Sequence, residues 1–164
     1  MNTAAASPDS RKVAELIKDA SRMAMLTTRA PDGTLMSRPM ALQETEFDGD
    51  LWFFSARDSR KVAHIAADPQ VNVTVTSSDV WVSLTGDARV VDDVRRKHEL
   101  WNTVVEAWFP DGRDSSDVIL LKVSAASAEY WDSPGGRVAS AISFAKAKLT
   151  GEPYDGGENE RVEL

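Results

Sequence analysis

Residues 51–67 read LWFFSARDSRKVAHIAA, and the reading of the whole chain turns on them. The aromatic run Leu51-Trp52-Phe53-Phe54 predicts a strand ending at Ser55. Asp58 or Ser59 then caps a helix through Ala67, with Val62, Ile65 and Ala66 on one face. That helix opens on Ser59, Arg60 and Lys61. A helix N-terminus already carries free N–H groups and the positive end of the macrodipole, so cations there are locally unfavourable unless an anion sits among them. A phosphate pocket is one reading and a solvated basic helix start is the other.

Upstream, residues 35–42 read LMSRPMAL. Arg38 stands in an otherwise apolar strand and could offer a bidentate fork to a phosphate, or simply face solvent. Pro39 removes a ladder donor and marks an edge or a bulge. The turn Ala30-Pro31-Asp32-Gly33 joins this strand, expected over 34–46, to an earlier one over 22–29. Before that, Ser7-Pro8 opens a helix over 9–20, with Val13, Leu16, Ile17 and Ala20 on its apolar face.

Downstream, Val71, Val73 and Val75 alternate with polar residues, predicting a half-buried strand. A longer strand spans 80–91, with a bulge or bend at Gly86. One helix is expected over 92–108, with Val94, Trp101, Val105 and Trp108 in a stripe. A polar loop leads to the last strand, 117–131, and a final helix carries Val138, Ile142, Ala145 and Leu149. Hairpins with inserted helices, and no alternating strand–helix units, predict a mainly β fold whose six mainly antiparallel strands suit a small closed or split barrel.

Composition bounds the function. The chain has 164 residues, a net charge of -7, no cysteine and two histidines. Disulfides, thiol nucleophiles and thiolate metal sites are excluded, and His64 and His98 cannot form a multi-histidine metal site. Both are expected on helix surfaces. The acidic balance argues against a nucleic-acid partner. No stretch has the length of a membrane span, and the start lacks a signal-peptide pattern, so the protein is expected in the cytoplasm and off the membrane. No Walker loop, dinucleotide fingerprint or nucleophile elbow occurs. Residues 1–150 form the expected barrel domain. Residues 151–164 hold five acids and one base and are expected to be a mobile acidic tail.

Taken together, the strand with Arg38-Pro39-Met40, the aromatic strand ending in Ser55, the Ser-Arg-Lys helix start, Asp68-Pro69 and the Val-rich strand resemble the pyridoxamine 5′-phosphate oxidase-like FMN-binding split barrels, in particular the general stress protein 26 branch. The resemblance implies a six-stranded antiparallel split β-barrel with flanking helices, and it implies FMN, with FAD admitted if its adenylate end stays in solvent. It implies that Arg38 and Lys61 grip the phosphate with Arg60 close by. Ser55 would lie near the phosphate and ribityl chain, and Pro39 and Met40 along the isoalloxazine edge. It also implies a homodimer with flavin at the interface, to which Trp131 and Arg137 would contribute from the second chain. Trp81 and Trp108 are expected in packing. Vitamin-converting members end in a segment with Arg and His that this chain replaces by the acidic tail, so pyridoxamine phosphate oxidation is not implied. Deazaflavin and haem occur in related barrels. The activity expected is that of a flavin-dependent oxidoreductase acting on an unidentified small molecule, with no catalytic side chain nominated. The alternative is a non-catalytic flavin-binding or sensing protein of the stress response.

Overall fold

The structure is a computed structural model that describes residues 8–132, 146, 148, 150 and 158–164. Its elements run α1 (Pro8–Asp19), β1 (Met23–Arg29), β2 (Leu35–Ala41), β3 (Asp50–Ala56), α2 (Arg60–Ala67), β4 (Gln70–Thr76), β5 (Val80–Val91), α3 (Val94–Leu100), α4 (Thr103–Trp108), β6 (Val118–Asp132) and β7 (Glu158–Glu163). All strand pairings are antiparallel, in the order β2-β1-β4-β5-β6-β3. A bridge between Leu42 and Phe53 brings β2 back to β3 and closes the barrel. The expected architecture is present, with a seventh strand added.

That seventh strand comes from the acidic end. β6 is 15 residues long, and β3 pairs only with its first half, Val118 to Ser124. The same edge is left open from Ser127 to Asp132, and β7 fills it. Val162 is buried against the core, and Tyr130 Oη donates to Glu160 Oε2 at 2.9 Å. The expectation of a mobile tail is therefore corrected for residues 158–164. An unpaired strand edge offers backbone partners that composition alone does not reveal.

Alternation explains the core. Ala24, Leu26 and Thr28 on β1, Val71, Val73 and Val75 on β4, and Val82, Leu84 and Ala88 on β5 all point inward and are buried. Val13, Leu16 and Ile17 of α1 pack onto this cluster. The β5 register shifts between Thr85 and Gly86, where a Cβ on Gly86 would stand 2.0 Å from Ser124 O. Only glycine lets the two backbones approach so closely.

A second apolar cluster sits outside the barrel, where Phe54, Val118 and Leu120 meet Leu100 and Val105. Here the expected single helix over 92–108 is corrected to two. Asn102 accepts from the N–H groups of Val104 and Val105 and so starts α4 afresh. Trp101 turns in to meet Phe54 edge-on, with ring centroids 5.5 Å apart. The expected stripe is broken, and Val94 is exposed. The expected final helix, 138–149, falls mostly outside the described residues, although 146, 148 and 150 are helical. Among the described residues no helix is long and apolar enough to cross a membrane.

Candidate functional site

The Arg38-Pro39-Met40 segment of β2 and the Phe54-Ser55-Ala56 end of β3 form two walls of a cleft of about 370 Å³. Lys61, in the first turn of α2, closes one end. Val104, Val105, Trp108 and Phe109 of α4 and its C-cap supply a third, apolar wall. Met23, Ala41 and Gln43 complete it. The volume lies within the usual range of small-molecule sites, about 300–1,000 Å³.

The polar end is built from cations and hydroxyls. Arg38 Nη1 donates to Leu26 O at 3.1 Å and to Thr28 Oγ1 at 2.7 Å. Lys61 Nζ donates to Ser55 Oγ at 3.1 Å. Ser55 is buried, and its hydroxyl lies 3.1 Å from that of Ser59. Ser59 is the N-cap of α2, yet it caps no first-turn N–H with its side chain, and that turn holds no acid. None of the ion pairs among the described residues involves Arg38, Arg60 or Lys61. Burial, and then the neighbouring Arg60, push the Arg38 guanidinium below its ordinary pKa. Burial, and then Arg38, do the same to the Lys61 ammonium. Both shifts record charge that the folded chain leaves uncompensated.

Five of the residues singled out from sequence, Arg38, Pro39, Met40, Ser55 and Lys61, thus line one cleft. Arg60 lies outside the lining but close enough for its charge to be felt at Arg38. Trp131 is elsewhere: it pairs in register with Trp81 across β5 and β6, and both rings face outward. Arg137 lies outside the described residues. Trp81 and Trp108 are 43% and 74% exposed in the single chain, so the packing expected of them is not made within it. Trp108 sits at the mouth of the cleft.

His64 is also corrected. It is buried, on the face of α2 turned to the barrel, with Nδ1 3.0 Å from Thr28 Oγ1. The signal was present in the spacing, since Lys61, His64 and Ile65 stand at i, i+3 and i+4 and share a face. His98 is the surface residue expected, with Nε2 2.7 Å from Asp114 Oδ1. The α4 wall and Gln43 were not foreseen. Gln43 Oε1 accepts from Asn102 Nδ2 at 2.9 Å, which ties the end of β2 to the start of α4. Nothing local in the sequence announces a bond across 59 positions.

Residues 8–155 match the family model described as pyridoxamine 5′-phosphate oxidase like. Protein bli-3 of Neurospora crassa is 32% identical over 146 residues, covering 80% of this chain and 69% of that protein. A crystal structure assigned as a general stress protein 26 of Jannaschia sp. CCS1 superposes with a TM-score of 0.76 at 30% identity, covering 94% of this chain and 97% of that one. The general stress FMN/FAD binding protein of Xanthomonas citri superposes with a TM-score of 0.65 at 28% identity, over 75% and 87% of the two chains. The match over most of its length, on the split-barrel framework described above, means that this chain belongs to the pyridoxamine 5′-phosphate oxidase-like family.

Proposed function

We propose that the cleft holds FMN non-covalently and that the protein is a flavoprotein of the general stress type. One observation carries this reading: Arg38 and Lys61 reach a common pocket from different elements, beside a buried serine hydroxyl and with no carboxylate among the described residues pairing either. A phosphate is the group that relieves such an arrangement, because it accepts charge-assisted bonds from both cations. Arg38 and Lys61 would hold the phosphate, with Arg60 adding field. Ser55 would donate toward phosphate or ribityl oxygens. Pro39, Met40 and the apolar α4 wall would flank the ring. The relative described as FMN/FAD binding supports a flavin as the occupant. FAD fits the same phosphate end only if its adenylate projects into solvent.

A bound flavin supplies hydride and one-electron chemistry, which the protein orients. Among the described residues the lining holds no carboxylate and no histidine, and Lys61 is its one side chain that gives up a proton near neutral to basic pH. This fits a flavin oxidoreductase that accepts a hydride from a small donor. The same lining favours a second reading, a flavin-binding or sensing protein without turnover. The apolar rim formed by Met23, Val104 and Trp108 is exposed in the single chain. We take it as the place where a second copy closes the site.

The test is the visible spectrum of the purified protein, with mass spectrometry of whatever heat releases. FMN is expected, and a protein that neither carries nor takes up flavin refutes the reading. Oxidation of NADH or NADPH by the flavin-loaded protein separates the enzyme from the sensor. Light scattering near twice 17.9 kDa is expected for the homodimer.

A further inference from the structure

His64 is a buried polar side chain to which the phosphate cleft assigns no direct part. It is 7% exposed, and Thr28, its partner, is 1% exposed. Thr28 Oγ1 lies between two nitrogens, 2.7 Å from Arg38 Nη1 and 3.0 Å from His64 Nδ1. A guanidinium can only donate, so the threonine oxygen accepts from Arg38. The same oxygen is hydrogen-bonded to His64 Nδ1, so Arg38, Thr28 and His64 form one continuous chain of bonds.

The geometry at Arg38 gives this chain a purpose. Both protons of Nη1 are taken up inside the barrel wall, one by Leu26 O and one by Thr28 Oγ1. Nη2 and Nε make no other hydrogen bond among the described residues and remain for the cleft that Arg38 lines. An arginine side chain has many rotamers, and a phosphate site gains affinity when the fork is held before the ligand arrives. We propose that His64 is a positioning residue: as the hydrogen-bond partner behind Thr28, it locks the Arg38 guanidinium in the orientation that presents Nη2 and Nε to the phosphate. This rests on the phosphate reading of the cleft and extends it into the second layer of side chains.

The experiment compares FMN with riboflavin, which lacks the phosphate, by fluorescence titration of the full-length apoprotein. The quantity read is the preference, the ratio of the two dissociation constants. Thr28→Val keeps the shape and removes the hydroxyl. His64→Leu removes the ring nitrogen that Thr28 meets, and His64→Asn returns an amide group near the place of Nδ1. Thr28→Val and His64→Leu are each expected to lower the preference by about five- to tenfold, as for one hydrogen bond that fixes a charged partner. His64→Asn should recover most of it. Thr28→Val should add nothing once Arg38→Ala is present, because the two act through one group.

An unchanged preference in folded Thr28→Val overturns the proposal, and so does an equal loss for FMN and riboflavin, or full additivity with Arg38→Ala. Should His64→Leu fail to fold, Thr28→Val and the double variant still decide. Arg38→Ala separates the layers of the argument. If it abolishes the preference while Thr28→Val does not, only the positioning role falls. If it leaves the preference intact, the phosphate reading falls and this proposal with it.

Discussion

Replacing Lys61 by methionine should move ligand affinity and protein stability in opposite directions. Methionine keeps an unbranched apolar stem and removes the ammonium. In the folded chain that ammonium is partly buried and faces Arg38, and both effects push its pKa down. A pKa lowered on a lysine means that folding disfavours the charged form, so removing the charge relieves the apoprotein. The hydrogen bond lost is a single one, from Nζ to Ser55 Oγ at 3.1 Å. Ser55 Oγ keeps its neighbours Ser59 Oγ and Ala56 O, so no buried hydroxyl is stranded. The apoprotein of Lys61→Met is therefore expected to melt no lower than wild type. FMN loses one charge-assisted bond, about 1.5–3 kcal/mol, or roughly ten- to a hundredfold in affinity. Riboflavin should bind as before. Calorimetric melting of the apoprotein and fluorescence titration of both ligands provide the assay. A melting temperature lowered by several degrees would show that Lys61 is a structural cation, and a parallel loss of riboflavin would place it on the ring rather than the phosphate. Either result refutes the argument.

Three further outcomes follow from the same geometry. The preference for FMN over riboflavin should fall as pH rises through a value below the ordinary lysine 10.5, because Lys61 deprotonates early; over that window the unfolded chain holds more protons at this group, so its contribution to apoprotein stability rises with pH while the preference falls, and a preference that stays flat up to the ordinary 10.5 would contradict the assignment. Asn102→Ala removes the cap of α4 and leaves Gln43 Oε1 without its donor, so a stability loss of about 1–2 kcal/mol and a weakened cleft are expected from denaturant unfolding and FMN titration. Truncation after Gly157 deletes β7 and the buried Val162, and should lower the melting temperature, since burying such a side chain is worth about 1.5–3 kcal/mol; an unchanged melt would restore the solvated-tail expectation.

What the chain alone determined is local in kind. The turn at residues 30–33, the alternation of Val71, Val73 and Val75 and the apolar stripe of α1 each lie within a dozen residues, where the periods of strand and helix act directly. Half of the cleft was legible for the same reason: Ser55 and Lys61 are six positions apart, at the end of a strand and the start of the next helix. Barrel closure decided the rest. It brought Arg38 to Lys61, buried His64 against Thr28, and set α4 over the apolar mouth, all across distances at which no periodic pattern survives. It also left the outer half of the β6 edge unpaired, and that vacancy, together with the burial of Val162, gave residues 158–163 their strand. The tryptophans show the boundary most clearly. Their size predicts packing without saying against what; Trp81 and Trp131 stand at outward positions of their strands and Trp108 on the open side of α4, and the face a residue occupies is set by register and packing, which only the tertiary structure supplies.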